Sequence, residues 1–430
     1  DIGMSPIMTQ VLIIGYVWPE PRSSAAGSHM MELIHCFQTQ DWQITFASPA
    51  ALSTHMEDLS QLNVKSVGIE LNCDSFDRFI ANLQPDIVLF DRFMMEEQFG
   101  WRVEKQCPEA LRILDTEDLH FLRNARHQAL KQQRPLVPED LFSEMAQREV
   151  ASIYRSDLTL MISDYEMQLL NNQFGVSQDL LHHLPFMLDI QILDQPRPTF
   201  EERSHFVSIG NFRHAPNWDA VLWLKQQIWP KIRKKLPHAG MHVYGAYPPP
   251  KATALDNPKE GFMVKGWAED ANEVVRNARV LLAPVRFGAG IKGKLVEAMC
   301  NGTPNITTPI GAEAMSGGYP WGGLIEDNAH DFAQAAVELY EKKDLWHSCQ
   351  RMGDKIISQV YDRQPLAEQL IQHIQLLRET INSHRMQNFT GAMLRHHHHR
   401  STQFMSQWIE TKTRLADLQK TSATASDETE

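Results

Sequence analysis

Residues 280–299 read VLLAPVRFGAGIKGKLVEAM, a stretch that joins an apolar strand to a helix through a glycine-rich loop. Val280–Ala283 has the branched apolar residues of a buried strand, and Gly290–Cys300 has the spacing of a helix. Glycines let the backbone approach a ligand closely, and a helix N-terminus presents free N–H groups and the positive end of its dipole. The stretch therefore predicts a strand–loop–helix unit that binds an anion such as a diphosphate.

Charged side chains flank this loop in a pattern that suits a nucleotide. Lys292 and Lys294 place ammonium groups where the charge of a leaving nucleotide would develop. Glu297 follows Lys294 by three residues, so both project from one helix face. A carboxylate there can accept hydrogen bonds from ribose hydroxyls. The alternative is a glycine turn with ordinary surface lysines.

The same loop also fits the spacing of a P-loop. Gly288 to Lys294 matches G-x-x-x-x-G-K, but the next residue is Leu295. A P-loop needs Ser or Thr there to hold magnesium. A P-loop NTPase, which would cleave ATP or GTP with magnesium, is therefore disfavoured.

Short β-branched runs alternate with helical segments in both halves of the chain, which is typical of parallel sheets covered by helices. The predicted strands are Val11–Ile14, Ile44–Ala47, Ile87–Phe90, Ile113–Leu114, Leu158–Ile162, Leu181–Leu184, Phe206–Ile209, His242–Tyr244, Met263–Val264, Val280–Ala283 and Asn305–Thr307. The predicted helices are Ser28–Phe37, Pro138–Tyr154, Trp218–Lys235, Gly290–Cys300, Asp331–Lys342 and Leu366–Ser383.

A stretch with three prolines, Pro185, Pro196 and Pro198, interrupts this alternation and predicts a linker. We therefore expect an N-terminal Rossmann-like domain over 1–185, a linker over 186–203 and a C-terminal Rossmann-like domain over 204–361. Residues 362–430 are expected to form helices that return to the N-terminal domain, followed by a polar tail that is rich in Ser and Thr from Thr421. The run His396–His399 is interpreted as a solvated surface segment.

Composition narrows the class of partner. The chain has 430 residues, with 41 Lys and Arg against 53 Asp and Glu, a formal charge of -12. A protein that neutralises a polynucleotide is expected to carry a basic surplus, so nucleic-acid binding is disfavoured. The five cysteines are scattered and odd in number, which favours a reducing compartment. Val11–Val17 is too short to cross a bilayer, so we expect a cytoplasmic protein, with peripheral contact at the inner membrane face left open.

Seven segments follow one another between Phe206 and Met315: Val207–Phe212, His214–Val221, Val243–Gly245, Val264–Trp267, Ala283–Lys294, Glu297–Met299 and Thr308–Glu313. With these segments in this order, Phe206–Met315 resembles the donor-binding domain of family 4 retaining glycosyltransferases. In the first half, Pro21–Met30 resembles the first glycine loop of that family, and Asp115–Arg123 resembles a segment of related transferases.

The resemblance implies an α/β fold of the GT-B type, with two tandem Rossmann-like domains facing across a cleft. It further implies transfer of a sugar from a nucleoside-diphosphate donor, such as a UDP-sugar or GDP-sugar, to an acceptor hydroxyl with retention of configuration. No cofactor or metal is expected to be obligatory, and the acceptor is a glycan, a lipid-linked molecule or a protein. Two departures, Ala289 at the first acid of an E-x7-E pattern and Asn211 at a usual Arg, favour a nucleotide-binding scaffold without transfer as the alternative.

Carried onto this sequence, the resemblance and the loop chemistry give two sets of site residues. Those expected to contact the donor are Gly27, Gly210, Arg213, Asn217, Gly266, Trp267, Gly288, Gly290, Lys292, Lys294, Glu297 and Glu313. A helix start at Asn217, a packing role for Trp267 and a surface position for Glu313 are the alternatives.

Asp118 and His120, together with Lys294, are the predicted catalytic residues. Asp118 and His120 follow the strand Ile113–Leu114 at its carboxyl end, where ligands of parallel sheets gather. Asp115 shares that position. The alternative for Asp118 is a cap on the helix that begins near His120. His29 and the pair His182-His183 lack such a context and are predicted to be structural or exposed.

Overall fold

The computed structural model describes residues 8–427, with side chains described to residue 421. Two separate sheets form its framework, and every pairing between their strands is parallel. The N-terminal sheet has the order β3-β2-β1-β4-β5-β6-β7. Its strands are β1 Gln10–Ile14, β2 Gln43–Ser48, β3 Lys65–Gly68, β4 Ile87–Asp91, β5 Leu111–Asp115, β6 Leu158–Met161 and β7 Leu181–His183.

The C-terminal sheet has the order β10-β9-β8-β11-β12-β13. In each sheet the strand order reverses once, between β1 and β4 and between β8 and β11, and such switch points are where doubly wound folds bind ligands. The strands are β8 Ser204–Ile209, β9 Met241–Tyr244, β10 Phe262–Gly266, β11 Ala278–Ala283, β12 Asn305–Thr307 and β13 Gly323–Ile325.

Helices cover both faces of both sheets. Those of the first half are α1 Ala25–Gln38, α2 Ser75–Leu83, α3 Phe93–Gln106, α4 His120–Lys131, α5 Glu144–Arg155 and α6 Asp164–Phe174. Those of the second half are α7 Ala215–Trp223, α8 Trp229–Lys235, α9 Pro250–Thr253, α10 Ala271–Asn277, α11 Gly293–Cys300, α12 Pro309–Ala312, α13 Ala329–Glu341, α14 Lys343–Val360, α15 Arg363–Glu379, α16 Ile381–Gln387 and α17 Phe389–Asp427.

Two strands and several helix boundaries differ from the sequence prediction. The strands β3 and β13 were not predicted, because a four-residue run with exposed polar positions and a three-residue run give too little period to recognise. The helix predicted over Pro138–Tyr154 is a short 3-10 helix at Pro138–Leu141 followed by α5, which Ser143 caps. The helix predicted from Gly290 begins at Gly293, because Gly290 has a φ of 66°.

The chain crosses between the two domains twice at one place. The main-chain N–H of Leu188 donates to the carbonyl of Tyr361, and the N–H of Arg363 donates back to the carbonyl of Leu188. After this crossing α15 packs on the N-terminal sheet, where Leu370 and Ile374 are fully buried among residues of β1, β2 and α1. The C-terminal helices therefore complete the core of the N-terminal domain.

The last helix corrects two predictions about the C-terminus. The Ser- and Thr-rich residues from Thr421 continue α17 as far as Asp427, and 428–430 lie outside the described residues. Within the histidine run only His396 and His397 are exposed, whereas His399 is buried and pairs with Glu104 of α3. The run fails to be a solvated segment because α17 lies along α3 and α5 and turns every fourth side chain inward.

The opposite side of α17 carries exposed apolar side chains at helical spacing. These are Phe389, Met393, Phe404, Trp408, Leu415 and Leu418. No helix in the described part of the chain combines the length and the apolar character that crossing a bilayer requires.

Candidate functional site

The glycine-rich loop leads from β11 to α11 at the carboxyl end of the C-terminal sheet. Gly290 takes a left-handed conformation, with a φ of 66°, which a residue with a side chain adopts at a cost. Lys292 is the N-terminal cap residue of α11, but its side chain does not bond the first turn. The first N–H groups of α11 therefore carry no cap from this side chain, as an anion site at a helix N-terminus requires.

This loop lies against the N-terminal domain. The N–H of Gly290 donates to Oε2 of Glu166 over 2.8 Å. A Cβ added to Gly290 would lie 3.0 Å from that of Asp118, and one added to Gly293 would lie 2.7 Å from that of Ala25. The loop therefore faces the cleft between the two domains and leaves no room for larger residues at these two glycines.

Lys294 is held in place by Asn217 of α7, which also bonds to the loop that follows β8. Its Nζ donates to Oδ1 of Asn217 over 2.8 Å, and Nδ2 of Asn217 donates to the carbonyl of Asn211 over 3.0 Å. A Cβ on Gly210 would lie 2.9 Å from that Nζ. Glu297 lies on the same helix, and its charge interacts with that of Lys294. The structure thus brings together four residues that sequence analysis placed at the donor: Lys294, Asn217, Gly210 and Glu297.

Burial shifts the pKa values of this pair toward neutrality. It lowers the pKa of the Lys294 ammonium to about 8, with Glu297 opposing the shift. It raises the pKa of the Glu297 carboxyl to about 7, with Lys294 opposing. Two groups that titrate near neutral pH on one helix turn are typical of a functional site.

Lys292 is turned toward its own loop. Its buried Nζ donates to the carbonyl of Gly290 over 3.0 Å, and burial lowers its pKa to about 8. Glu313 and Glu166 lie near enough to raise that pKa in part, and Arg126 lowers it. The structure therefore separates the side chains of the two lysines. Lys294 bonds to Asn217, and Lys292 lies among the groups that join the domains.

Glu313 and Arg126 form an ion pair with two hydrogen bonds across the cleft. Both guanidinium nitrogens of Arg126, on α4, donate to the Glu313 carboxylate over 3.0 and 2.7 Å. Nη1 of Arg126 also donates to the carbonyl of Gly288 over 2.9 Å. The surface alternative for Glu313 is therefore wrong, because its side chain is only 17% exposed and fully paired. Arg126 was missed because nothing in the sequence of a helix marks which exposed-looking Arg meets another domain.

The second predicted loop, at Gly266-Trp267, meets the N-terminal domain through rings. Trp267 stacks on His55, with ring centroids 3.8 Å apart and planes 5° from parallel. Arg213 lies over the ring of Tyr247 at 3.5 Å, and the hydroxyl of Tyr247 donates to Glu20 of the N-terminal domain. Arg213 thus lies at this edge of the cleft, against an aromatic ring rather than against Lys294.

Glycine is favoured at positions 27 and 266 for different structural reasons. Gly27 lies in the first turn of α1, where Oγ of Ser24 accepts from its N–H, and an added Cβ would lie 2.5 Å from the backbone of Glu20. Gly266 ends β10 with a φ of 76° and has open space around an added Cβ. Close packing therefore requires glycine at position 27, and backbone conformation favours it at position 266.

Asp118 does not cap α4. Its carboxylate accepts from Nη1 of Arg123 over 2.9 Å and lies 3.3 Å from Nε2 of His120. The free N–H groups at the start of α4 are bonded instead by two buried glutamates from other helices. Glu149 accepts from the N–H of His120 and of Phe121, and Glu166 accepts from the N–H of Leu119. The capping alternative is wrong because these carboxylates already fill the cap position.

Asp118 and His120 therefore face the cleft as a polar pair. Burial lowers the pKa of the His120 imidazole to about 4, partly offset by Asp118. The ring is neutral at pH 7, so it can accept a hydrogen bond from a hydroxyl, although its basicity is low. Burial opposes but does not overcome the effect of Arg123, and the pKa of Asp118 stays below its usual value.

His29 was predicted to be structural or exposed, and its burial excludes the exposed alternative. It lies on α1 with its ring 1% exposed, and its Nδ1 is 3.7 Å from carboxylate oxygens of both Asp115 and Glu117. These two neighbours were not predicted, because α1, β5 and the loop after β5 meet only in the folded domain. His182, by contrast, contacts His373 of α15 at 2.8 Å, which fits a structural role.

The comparisons with known proteins agree with this geometry. Residues 203–342 match the model of the family described as glycosyl transferases group 1. Glutamate, lysine and glycine positions of the donor loop all lie inside the matched range. A search of curated proteins found no match to the chain.

Solved structures share the fold at low identity. HepE from Anabaena, solved with UDP-glucose, is 12% identical, with a TM-score of 0.65 over 86% of this chain and all of that one. Sucrose-phosphate synthase from Thermosynechococcus elongatus is 14% identical, with a TM-score of 0.62 over 86% of this chain and 99% of that one. TarM from S. aureus is 14% identical, with a TM-score of 0.54, and the match covers 69% of this chain and 57% of TarM.

Two Rossmann-like domains that face across a cleft, with a family-matched donor loop on the second, define the class of the protein. It is a glycosyltransferase of GT-B architecture. More narrowly, residues 203–342 of its C-terminal domain match the group 1 family of glycosyl transferases.

Proposed function

We propose that the chain transfers a sugar from a nucleoside-diphosphate sugar, with UDP as the favoured nucleotide, to a hydroxyl of a glycan acceptor with retention of configuration. The observation that carries this proposal is the position of the α11 N-terminus, with Lys294 beside it, at the interdomain cleft. A diphosphate bound there would meet free N–H groups and one ammonium. Structures of similar fold have been solved with UDP or UDP-glucose, which supports the choice of nucleotide.

In the proposed reaction Lys294 and the helix N-terminus stabilise the charge that grows on the departing diphosphate. Such groups raise turnover when their interaction is stronger in the transition state than with the bound substrate. Glu297 would accept hydrogen bonds from the ribose hydroxyls. On the opposite side of the cleft, Asp118 and neutral His120 would orient the acceptor hydroxyl or the donor sugar.

The first test is Lys294→Ala with the donor identified by a screen of nucleoside-diphosphate sugars. We expect turnover to fall by roughly 10- to 1,000-fold, the range seen when one charge-stabilising donor is removed. Lys235→Ala is the matched control, because Lys235 is exposed at the end of α8 on the same domain. Equal turnover in both variants would remove Lys294 from the mechanism.

The second candidate is a scaffold that binds nucleotide without transfer. Ala289 favours it, because the position that carries an acid in the resembled family here packs against apolar residues of the N-terminal domain. Nucleotide binding by the chain, with no donor hydrolysis and no transfer to a broad panel of acceptors, would support the scaffold over the transferase.

A further inference from the structure

A buried acidic cluster lies at the switch point of the N-terminal sheet, on the far side of the cleft from the donor loop. Asp91 ends β4, Asp115 ends β5, and Glu117 follows Asp115 in a left-handed conformation with a φ of 61°. His29 reaches the same place from α1. Asp91, Asp115 and His29 are at most 4% exposed. Burying several carboxylates together is costly unless cations or protons compensate them.

The polar atoms of this cluster lack the partners that buried groups normally have. Neither ring nitrogen of His29 has a hydrogen-bond partner among the described residues, and Oδ2 of Asp115 and Oδ1 of Asp91 also lack one. The Nδ1 of His29 is 3.7 Å from Oδ2 of Asp115 and 3.7 Å from Oε2 of Glu117, which is too far for a hydrogen bond. Buried polar groups without a protein partner are rare in native proteins, and an ordered water, a bound ion or a catalytic role accounts for such groups.

Ligand atoms of the same three residues lie close to one another. One nitrogen of His29 and one oxygen each of Asp115 and Glu117 lie within 4.8 Å of one another. Bonds of about 2.0–2.2 Å to a first-row metal place neighbouring ligand atoms roughly 3–3.5 Å apart. Shifts of a few tenths of an ångström in side chains would therefore bring the 3.7 Å pairs to that spacing.

We propose that His29, Asp115 and Glu117 bind a divalent cation of the Mn²⁺ type. Two carboxylates and one imidazole suit a cation that prefers oxygen but tolerates nitrogen, which favours Mn²⁺ over the softer metals. Asp91 contributes negative charge nearby, and Arg92 is the cation paired with it at 3.8 Å. Three carboxylates against one guanidinium leave the cluster attractive to a cation when they are ionised.

Space for a small ion lies next to Glu117 and Asp91. A small cavity lined by Trp18, Gly27, Asp91, Arg92 and Glu117 lies beside the cluster. Binding of the cation does not depend on the donor loop. Its role, which rests on the proposed function, would be to bind an oxygen of the acceptor on this side of the cleft.

The test is a titration of the full chain with Mn²⁺ alone, followed by the EPR signal of the free ion. The exposed imidazoles of the histidine run could bind metals, so the experiment uses the His396→Gln/His397→Gln background. We expect one saturable site per chain. Glu117→Gln and His29→Gln should each weaken binding at least tenfold, because each removes one of three ligands. His35→Gln is the matched control, an exposed histidine on the same helix α1, and should bind as the background does.

Several outcomes would overturn the proposal. These are no saturable Mn²⁺ binding up to millimolar concentration, or equal affinity in the background, Glu117→Gln and His29→Gln chains. Circular dichroism of each variant establishes that it folds, and a variant that fails to fold is replaced by Asp115→Asn. UDP binding to the same chains, and to Lys294→Ala, tests the donor site separately. Loss of UDP binding in Lys294→Ala with Mn²⁺ binding retained would show two independent sites.

Discussion

At the scale of single residues, the chemistry of the donor site depends on the protonation of Lys294. Its side chain is positioned by Asn217 and its pKa is lowered to about 8 by burial. An ammonium at this position attracts a diphosphate, whereas the neutral amine does not. The affinity of the site should therefore change within a pH range that is accessible to experiment.

We predict that the Kd for UDP rises as the pH increases through about 8. Below that pH Lys294 is protonated in the free protein. Above it, the protonated fraction of Lys294 falls by up to about tenfold for each pH unit. Isothermal titration calorimetry between pH 6.5 and 9.5 measures the profile. Lys294→Arg should flatten the profile, because a guanidinium stays charged throughout this range. An unchanged profile in that variant would assign the titration to Lys292, whose pKa is also about 8.

The sequence alone does not distinguish glycines that packing requires from glycines that can be replaced. Gly27 and Gly68 look alike in the sequence, but an added Cβ would lie 2.5 Å from the backbone of Glu20 at position 27 and would meet nothing within 4 Å at position 68. Only the contacts of the folded chain separate a glycine that packing requires from one that tolerates replacement.

At the scale of elements, the close packing at Gly27, which Gly68 lacks, predicts that the start of α1 tolerates substitution poorly. Gly27→Ala should lower the free energy of unfolding by about 1–3 kcal/mol, because the methyl group displaces the backbone of the preceding loop. Gly68→Ala should change it by less than about 0.5 kcal/mol. Chemical denaturation of both variants is the measurement. A loss of equal size in the two would contradict the close approach at Gly27.

The N-terminus of α4 is hydrogen-bonded by side chains of other helices. The start of α4 is bonded by Glu149 and Glu166, which come from α5 and α6. Sequence rules assign caps to neighbouring residues, and Asp118 was the nearest candidate. Side chains that arrive from other helices give no local signal, so the two glutamates were not predicted.

At the scale of the whole molecule, the closed arrangement of the domains depends on a few polar links. Arg126 joins Glu313 and the carbonyl of Gly288, and Glu166 joins Gly290. Ring stacking of His55 on Trp267 closes the other edge. These contacts place the donor loop against Asp118, so opening them would separate the two sides of the site.

We predict that Arg126→Ala shifts the chain toward an open arrangement. Small-angle X-ray scattering should show a larger radius of gyration than for the unmodified chain, and addition of nucleotide should reverse less of the change. Arg134→Ala is the control, because Arg134 pairs with Asp140 of its own domain. A double-mutant cycle of Arg126→Ala and Glu313→Ala, measured in free energies of unfolding, should give a coupling energy of about 1–3 kcal/mol. Additive effects of the two substitutions would contradict a direct link.

The sequence by itself determined the elements that have a strong local period and the chemistry of one loop. Alternating β-branched runs and helices predicted two parallel-sheet domains, and the structure confirms the α/β fold with two Rossmann-like sheets. Gly288 to Glu297 predicted the loop that now faces the cleft. Leu295, which stands where a P-loop needs Ser or Thr, is fully buried.

Only the tertiary structure decided which distant side chains share a place. His29, Asp115 and Glu117 meet because α1, β5 and the loop after β5 come together in the folded domain. Arg126 meets Glu313 because the two domains close on each other. The run at His396–His399 is partly buried because α17 lies on α3. Local patterns record propensity and period, whereas contacts between residues far apart in the chain arise from packing, which no local pattern encodes.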